Sequence, residues 1–492
     1  MLGRPPRSNP ARSVLIVGSE AVPFAKSGGL ADVLGSLPPA LSRLGWEVTL
    51  VIPKYRHVPE SEVVERFPVT VGGYTVDVKF HEVALAERAR AVLVDVPELY
   101  DRDGLYQING VDYRDNARRF AVLARAALEL AARDERPPSI VHGHDWHAGL
   151  VHVYLKTLYA GHAVLGNLPS VFTIHNLAYQ GNFAPDWLPR LDLAWDLLSS
   201  DRLEFWGRIS FIKGGINFAR VITTVSPTYA EEIQTPEAGF GFEGTLRARR
   251  PDLVGILNGI DTALWNPARD PFLPAPFDAA NLKGKAAAKL EVLRRYQLPT
   301  TDRSSKRPLV GMISRMVEQK GFGLLMELAD ELPSLGASFV FLGTGDARYE
   351  RALRDLALAH PDRIGVRVGF DEELAHLIEG GADIFLMPSL WEPCGLNQMY
   401  SLRYGTVPLV RAVGGLADTV QDYAPGRAGA TGFVFRGHTA GALLDTLKRA
   451  LDVFPDKRVW RTLQTAGMAE DHSWDRSARE YVKIYERAMA PQ

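Results

Sequence analysis

Short apolar runs recur along the chain and alternate with longer amphipathic stretches. Runs such as Val14–Val17, Val48–Ile52 and Ser170–Ile174 predict buried strands. Between the first two runs, the apolar residues from Leu30 to Leu44 recur every three or four positions, which predicts an amphipathic helix. Strands that alternate with helices are typical of a parallel sheet covered on both faces. The pattern therefore predicts an α/β fold of the doubly wound type.

One stretch of the first half departs from this alternation. Residues 61–97 carry short runs of alternating apolar and polar positions, which predict inserted hairpins. The alternation of strands and helices then resumes and continues to a terminal helix at Trp474–Met489. In the second half we predict a helix at Lys283–Tyr296 and strands at Leu309–Ile313, Phe339–Leu342, Ile364–Val368, Ile384–Met387 and Val407–Val410.

The chain has 492 residues, which is too long for one ordinary core. A stretch rich in proline, alanine and lysine at residues 263–308 marks a boundary region. We predict a Rossmann-like N-terminal domain over residues 1–258 and a Rossmann-like C-terminal domain over residues 259–473. Ligands of doubly wound domains bind at the carboxyl ends of the strands, so we expect the two domains to face each other across a deep cleft.

Composition excludes several classes of partner. The net charge is −2, with 46% hydrophobic and 23% charged residues, which argues against a nucleic-acid-binding or anionic-membrane surface. The single cysteine, Cys394, allows neither an intrachain disulfide nor a cysteine zinc site, and we expect a packed thiol. The first dozen residues lack the apolar core of a signal peptide, and no apolar run approaches the ~20 residues that span a bilayer. We expect a soluble cytoplasmic protein; the sequence does not indicate its oligomeric state.

The stretch Lys26–Asp32 lies where the first strand passes into the first helix. Free backbone N–H groups and the helix dipole favour an anion there, and the pair Gly28-Gly29 allows a ligand to approach the backbone. The stretch matches neither a Walker loop nor G-x-G-x-x-G, so an ordinary turn with a solvated Lys26 remains open. The five residues Gly28–Asp32 recur as Gly414–Asp418, which suggests a similar junction in each half.

Charged residues also follow two strands of the second half. Arg315 and Lys320 flank a turn after Ile313, and two cations beside a helix start suit a diphosphate. Glu392 stands just before a helix. It is either a helix-dipole stabiliser or a charge aimed at a developing cation.

A histidine-rich segment, His142–His147, follows another strand of the first half. Its order resembles a hydrolase metal motif, but the spacing does not match and no second cluster supplies further ligands. We therefore predict no metal. His144, Asp145 and Trp146 instead combine hydrogen-bonding groups with an aromatic ring, a set suited to a sugar. The D-x-D at Asp101–Asp103 holds a metal in some sugar transferases, but here a loop role is favoured.

Taken together, these motifs resemble those of the bacterial glycogen synthases and plant starch synthases. The resemblance runs in order from about residue 13 to the C-terminus. It is carried by Lys26–Asp32, His144–Leu150, His175–Gly181, Thr224–Ala230, Leu257–Asp261, Ser314-Arg315, Gln319–Gly321 and Glu392–Leu396.

The resemblance implies the GT-B fold, in which the terminal segment 474–492 crosses back and completes the N-terminal domain. It also implies a retaining glucosyltransferase of glycogen biosynthesis. Such an enzyme transfers glucose from ADP-glucose, with UDP-glucose left open, to the non-reducing 4-OH end of an α-1,4-glucan. It needs no cofactor, because cations can neutralise the departing diphosphate. Retention of the anomeric configuration is compatible with a covalent intermediate or with front-face attack, and the resemblance to this family implies the second.

The resemblance also implies roles for individual residues. Glu392, Lys26, Arg315, Lys320 and His175 match the catalytic positions, with Glu392 holding a sugar hydroxyl and stabilising positive charge. Further donor contacts are expected from Gly28, Gly29, Gly395, Leu396 and Asn258. Sugar and acceptor contacts are expected from His175, Asn176, Asp145, Trp146 and Tyr106.

Two other functions remain open at this stage. A glucan-binding protein without activity could keep the same fold. A related transferase acting on a small acceptor, of the sucrose- or trehalose-phosphate synthase type, is disfavoured by the residues at Lys26–Asp32 and Glu392–Leu396.

Overall fold

The structure, a computed structural model, describes residues 12–108 and 110–491. It divides into two compact α/β units. The first contains the described residues of Met1–Val225, Ala230–Gly259 and Trp474–Gln492. The second contains Ser226–Tyr229 and Ile260–Ser473.

The first unit is built on a mixed sheet. The strands of the whole unit, in chain order, are β1 (Ser13–Val17), β2 (Glu47–Pro53), β3 (Val63–Val71), β4 (Tyr74–Ala86), β5 (Ala89–Asp95), β6 (Gln107–Ile108), β7 (Val111–Asp112), β8 (Ile140–His144), β9 (Ser170–Ile174), β10 (Asn182–Phe183), β11 (Glu204–Phe205), β12 (Arg208–Ser210), β13 (Val221–Thr224) and β14 (Leu253–Gly255).

Nine of these strands form one sheet in the order β14-β13-β9-β8-β1-β2-β5-β4-β3, and β6 pairs with β7. All neighbours from β14 to β5 are parallel, whereas β5, β4 and β3 form an antiparallel meander. The hairpins predicted for residues 61–97 are therefore confirmed. They extend the main sheet because β5 pairs in parallel with β2. A separate small sheet has the order β10-β12-β11.

The second unit has a sheet that is parallel throughout its described strands. These are β15 (Leu309–Ile313), β16 (Ser338–Gly343), β17 (Ile364–Val368), β18 (Ile384–Met387), β19 (Val407–Arg411) and β20 (Phe433–Phe435), in the order β17-β16-β15-β18-β19-β20. The apolar residues of these strands are buried under helices on both faces, as near-continuous apolar runs predict.

Helices cover both sheets. The α-helices in chain order are α1 (Gly29–Arg43), α2 (Pro97–Tyr100), α3 (Asn116–Arg133), α4 (Asp145–Lys156), α5 (Trp187–Arg190), α6 (Phe211–Phe218), α7 (Pro227–Glu232), α8 (Glu243–Ala248), α9 (Lys283–Arg295), α10 (Asp302–Ser305), α11 (Phe322–Glu327), α12 (Ala347–Ala359), α13 (Glu372–Gly381), α14 (Asn397–Arg403), α15 (Gly414–Thr419), α16 (Ala440–Val453), α17 (Lys457–Ala469) and α18 (Trp474–Met489). Single 3₁₀ turns lie at Trp195–Leu197, Arg250–Asp252, Glu318–Lys320 and Leu332–Ser334.

The terminal helix α18 belongs to the first unit. The Tyr485 hydroxyl lies 2.8 Å from Nδ1 of His142 on β8, and the Tyr485 ring packs 5.0 Å from the ring of Trp46. The predicted bounds of this helix, Trp474–Met489, are confirmed. Across residues 12–108 and 110–491, no helix is long and apolar enough to cross a membrane.

Candidate active site

In the first unit, polar groups gather along one edge of the sheet. Strands β14, β13, β9, β8 and β1 are neighbours and parallel, so the residues that follow them lie side by side. Asn258 comes shortly after β14, His175 directly after β9, Asp145 directly after β8, and Glu20 shortly after β1. The sheet thus brings residues far apart in sequence to one edge.

The stretch Lys26–Gly29 is exposed at this edge. Gly28 has an extended backbone, and a Cβ placed on it would meet no atom within 4 Å. A ligand can therefore approach the backbone closely at Gly28. The Lys26 ammonium lies 2.7 Å from Oδ1 of Asp32 on the first turn of α1, with about half of the lysine side chain exposed.

Glu20 is a residue that sequence reasoning missed. It is buried, and its carboxylate accepts a hydrogen bond from the backbone N–H of Ser27. Burial raises the pKa of Glu20 to about 7, an effect that the hydrogen bonds from Ser27 partly oppose. Nothing in the local sequence distinguishes a glutamate that faces solvent from one that holds the neighbouring loop.

The residue before Glu20 connects the same edge to Tyr106. The Oγ of Ser19 lies 2.7 Å from the Tyr106 hydroxyl, and the backbone carbonyl of Ser19 accepts a hydrogen bond from Tyr55 at 2.8 Å. The Tyr106 ring lies 4.5 Å from the His147 ring. The structure therefore brings Tyr106 beside the Lys26 loop and the histidine segment. Asp101 and Asp103 of the D-x-D both pair with Arg56, in agreement with the predicted loop role.

The histidines form a buried, uncharged cluster. Nδ1 of His144 lies 2.9 Å from Nε2 of His175. Burial lowers the pKa of His175 to about 3 and holds the pKa of His144 well below its usual range. Both rings are therefore neutral at pH 7. Among the described residues, no group of three or more His, Cys, Asp or Glu side chains is arranged to hold a metal ion.

Asp145 has a left-handed backbone, with φ of 55°, at the start of α4. Its Oδ1 accepts the backbone N–H of His175 at 2.7 Å, which ties the end of β8 to the end of β9. Burial raises the pKa of Asp145 to about 7. Trp146 is only 8% exposed because its ring packs among Phe120, His147 and the phenylalanines of a neighbouring strand and helix. Little of the Trp146 ring, which we predicted to contact a sugar, is therefore accessible.

Two asparagines complete this edge. Oδ1 of Asn176 accepts the backbone N–H of Ala178 at 3.1 Å, a local turn that fixes the segment after His175. Asn258 is buried, and its Oδ1 has no hydrogen-bond partner among the described residues. A buried acceptor without a partner costs free energy unless a ligand satisfies it.

In the second unit, the ends of β15 and β18 meet at a buried ion pair. The Lys320 ammonium lies 2.9 and 2.6 Å from the two carboxylate oxygens of Glu392. Ser389 also donates a hydrogen bond to Glu392 at 2.9 Å. The side chains of Lys320 and Glu392 are 18% and 7% exposed. Arg315 lies on the same turn, with Nη2 3.4 Å from Oε1 of Gln319.

Glycines shape the backbone around Glu392. Gly395 has φ of 72°, and Leu396 follows it at the start of α14. A Cβ on Gly414 would lie 2.0 Å from the Glu392 carbonyl oxygen, and one on Gly415 would lie 2.1 Å from the Cys394 carbonyl oxygen. The second Gly-Gly pair therefore packs against the Glu392 segment, whereas Gly28 is open. Cys394 is buried, as expected of a packed thiol.

The chain matches the family model of the starch synthase catalytic domain over residues 13–248 and that of glycosyl transferases group 1 over residues 297–460. It is 49% identical to a glycogen synthase of Anaeromyxobacter dehalogenans, with 97% of this chain and 99% of the relative covered. It is 45% identical to a glycogen synthase of Koribacter versatilis, with 96% and 98% covered. The chain belongs to the starch and glycogen synthase family.

The solved structures agree with this family. The catalytic domain of starch synthase IV from Arabidopsis thaliana, bound to ADP and acarbose, matches with a TM-score of 0.89 at 34% identity, covering 98% of this chain and all of that one. A sucrose-phosphate synthase from Thermosynechococcus elongatus, at 17% identity and a TM-score of 0.60, shares the fold alone. The predicted family, GT-B fold and enzyme class are confirmed. As a member of the starch and glycogen synthase family, the chain is a retaining glucosyltransferase of glycogen biosynthesis.

Proposed function

We propose that the donor is ADP-glucose and that the acceptor is the non-reducing 4-OH end of an α-1,4-glucan. The observation that carries this proposal is the buried pair of Lys320 and Glu392 beside Arg315. A diphosphate needs cations, and a developing glucosyl cation needs a carboxylate. Both groups stand at the carboxyl ends of neighbouring parallel strands, where ligands of such sheets bind.

The ion pair suggests how the donor binds. Each of the two charges compensates the other in a largely buried place. The diphosphate of the donor supplies a second anion, and we propose that it draws the Lys320 ammonium away from Glu392. Arg315 holds the same diphosphate. Glu392 then accepts a hydrogen bond from a sugar hydroxyl and stabilises positive charge at the reacting carbon.

Residues of the first unit supply the remaining contacts in this proposal. Lys26, the open backbone at Gly28 and the exposed Gly29 contact the donor. His175, Asn176 and Asp145 contact the sugar, and Tyr106 and Trp146 lie toward the acceptor. Since burial lowers the pKa of His175 to about 3, we assign it a hydrogen-bonding role and not that of a general acid at neutral pH. The unpartnered Oδ1 of Asn258 fits a hydroxyl of the donor.

We propose that the anomeric configuration of glucose is retained because the acceptor 4-OH attacks from the front face. In that course the leaving phosphate accepts the proton of the attacking 4-OH, and no separate base is needed. In this course Glu392 does not act as a nucleophile: Ser389 still donates a hydrogen bond to one of its oxygens after Lys320 has turned to the diphosphate, and the carboxylate holds a sugar hydroxyl. No metal ion enters the reaction, since Lys320 and Arg315 neutralise the leaving ADP.

The decisive experiment compares glucose transfer to glycogen from ADP-glucose and from UDP-glucose, using the unmodified protein and Glu392→Gln. We expect faster transfer from ADP-glucose and a loss in kcat of about 10²- to 10³-fold in the variant, because its neutral amide no longer stabilises the cation. Glu372→Gln, an exposed acid of the same unit, is the control and should retain full activity. Turnover by Glu392→Gln near that of the control would refute the role assigned to Glu392.

A further inference from the structure

Two exposed aromatic residues of the first unit have a backbone that such residues rarely adopt. Trp206 has φ of 50° and is 81% exposed, and Phe240 has φ of 49° and is 36% exposed. Each precedes a glycine, Gly207 or Gly241, whose φ is also positive. A left-handed backbone is unfavourable for bulky residues, and the Trp206 ring, which is 81% exposed, recovers little of that cost through burial. Strain of this kind at a surface points to a function for the rings.

The Trp206 turn connects the small sheet of this unit. Phe205 pairs with Arg208, so Trp206-Gly207 is a two-residue hairpin turn, and two positive φ angles identify it as type I′. Asparagine or aspartate is favoured at the first position of this turn. Tryptophan there is explained neither by the turn nor by the core.

The two segments are held together. Phe205 stacks on Phe242 with ring centroids 4.1 Å apart and an interplanar angle of 5°. A Cβ on Gly241 would lie 3.2 Å from Nε1 of Trp206, so the indole lies against the backbone that follows Phe240. The segments that carry Trp206 and Phe240 are therefore packed against each other, and we call these two residues the aromatic platform.

The platform is continuous with the proposed acceptor residues. The Gln180 side-chain amide donates to the Phe240 carbonyl at 3.0 Å, and the Ser210 hydroxyl donates to the Gln180 carbonyl at 3.1 Å. The next residue, Gly181, lies directly against the Trp146 ring. Strand β12 runs two residues from Ser210 to Arg208, or roughly 7 Å at about 3.4 Å per residue, and the Trp206-Gly207 turn lies at its far end.

We propose that the aromatic platform is an accessory site for an α-1,4-glucan chain, which binds several sugar units away from the reacting end. The proposal rests on the proposed function, because that function supplies a polymeric acceptor. Glucose units present C–H faces that pack on aromatic rings and hydroxyls that stay hydrated, so a flat exposed ring holds them without charge. A polymer held at the platform is positioned repeatedly for transfer at its end.

The sharpest variant is Trp206→Asn, which creates the Asn-Gly pair that type I′ turns favour. We expect its melting temperature to stay the same or rise. Maltotriose is too short to reach the platform, so the substitution should lower kcat/KM for glycogen and not for maltotriose. We expect the ratio of kcat/KM for glycogen to kcat/KM for maltotriose to fall roughly 3- to 10-fold. Trp206→Tyr should restore most of the ratio. Phe370→Asn, which removes an aromatic residue that is 84% exposed in the second unit, should leave it unchanged.

Electrophoresis through gels that contain glycogen measures binding without catalysis. The unmodified protein and Phe370→Asn should be retarded, and Trp206→Asn should be retarded less. An unchanged acceptor ratio with unchanged retardation would overturn the platform, and so would a fall in melting temperature that accompanies the loss of affinity. If the unmodified protein transfers no glucose from any nucleotide sugar, the proposed function fails, and the gel measurement alone decides on the platform.

Discussion

Individual residues of this chain differ in how far the sequence indicates their roles. Lys320 and Glu392 are 72 positions apart, and their places after two strands left the role of Glu392 open; the family resemblance alone implied a common site. The structure joins them in one ion pair. Glu20 was missed, because its role depends on burial and on the position of the Ser27 N–H group, which no periodicity encodes.

Glu20→Gln should separate stability from activity. The folded pKa of Glu20, about 7, is raised above its ordinary value of 4.5, so its stabilising contribution is complete below pH 4.5 and is lost as pH rises through 7. Glutamine does not ionise, so the variant should gain stability over the unmodified protein between pH 5 and pH 8. The gain is on the order of 3 kcal/mol at most. Thermal melting at both pH values measures it.

The same variant should raise KM for the donor, because a neutral amide accepts the Ser27 N–H less strongly than a carboxylate does and holds the Lys26 loop less firmly. Glu237→Gln, at an exposed site in the same unit, is the control. A stability difference that stays constant with pH would contradict the raised pKa of Glu20.

At the scale of elements, apolar periodicity was a reliable guide. The predicted bounds of β9, β15, β17, β18 and α18 agree with the structure, because buried parallel strands are continuous apolar runs and α18 is strongly amphipathic. The small sheet β10-β12-β11 was not predicted, since its strands of two or three residues are shorter than any periodic signal. The repeated five residues Gly28–Asp32 and Gly414–Asp418 both begin helices, but their glycines have different surroundings.

Helix α4 carries a buried histidine, His152, whose ring packs 5.2 Å from that of Phe172. Burial lowers its pKa to about 3 from the ordinary value of 6.5. The folded pKa is depressed, so its contribution to stability is present above pH 6.5 and is lost as pH falls toward 3. We expect His152→Leu to remove about 2 kcal/mol of the destabilisation that acid causes between pH 6.5 and pH 5.

Urea unfolding at several pH values tests this expectation. His57→Leu, at an exposed site of the same unit, is the matched control and should keep the acid dependence of the unmodified protein. An equally steep decline in His152→Leu would show that the other buried histidines, or the carboxylates, govern acid unfolding.

At the scale of the whole molecule, the chain leaves its first unit after Gly259 and returns to it at α18. The helix pattern predicted α18 itself. Its membership in the first unit was expected from the family resemblance alone, because periodicity does not indicate which sheet a helix covers. The buried residues of α18 include Trp474, Tyr481, Ile484 and Tyr485. At roughly 1.5–3 kcal/mol for each large apolar side chain, their burial is comparable to the whole stability of a domain.

A chain that ends at Ser473 should therefore lose the folded first unit and keep the second. Hydrogen exchange measured peptide by peptide should show that the backbone amides of β8, which α18 contacts, and of the neighbouring strand β1 lose their protection. The amides of β15 and β18 in the second unit should stay protected. A chain that ends at Ala490 keeps the whole helix and serves as the control. Tyr485→Ala in the full chain is a milder test, because it removes the Trp46 contact and the partner of His142 and should lower protection in the first unit alone. Protection lost equally in β15 and β18 would mean that the second unit does not fold independently of α18.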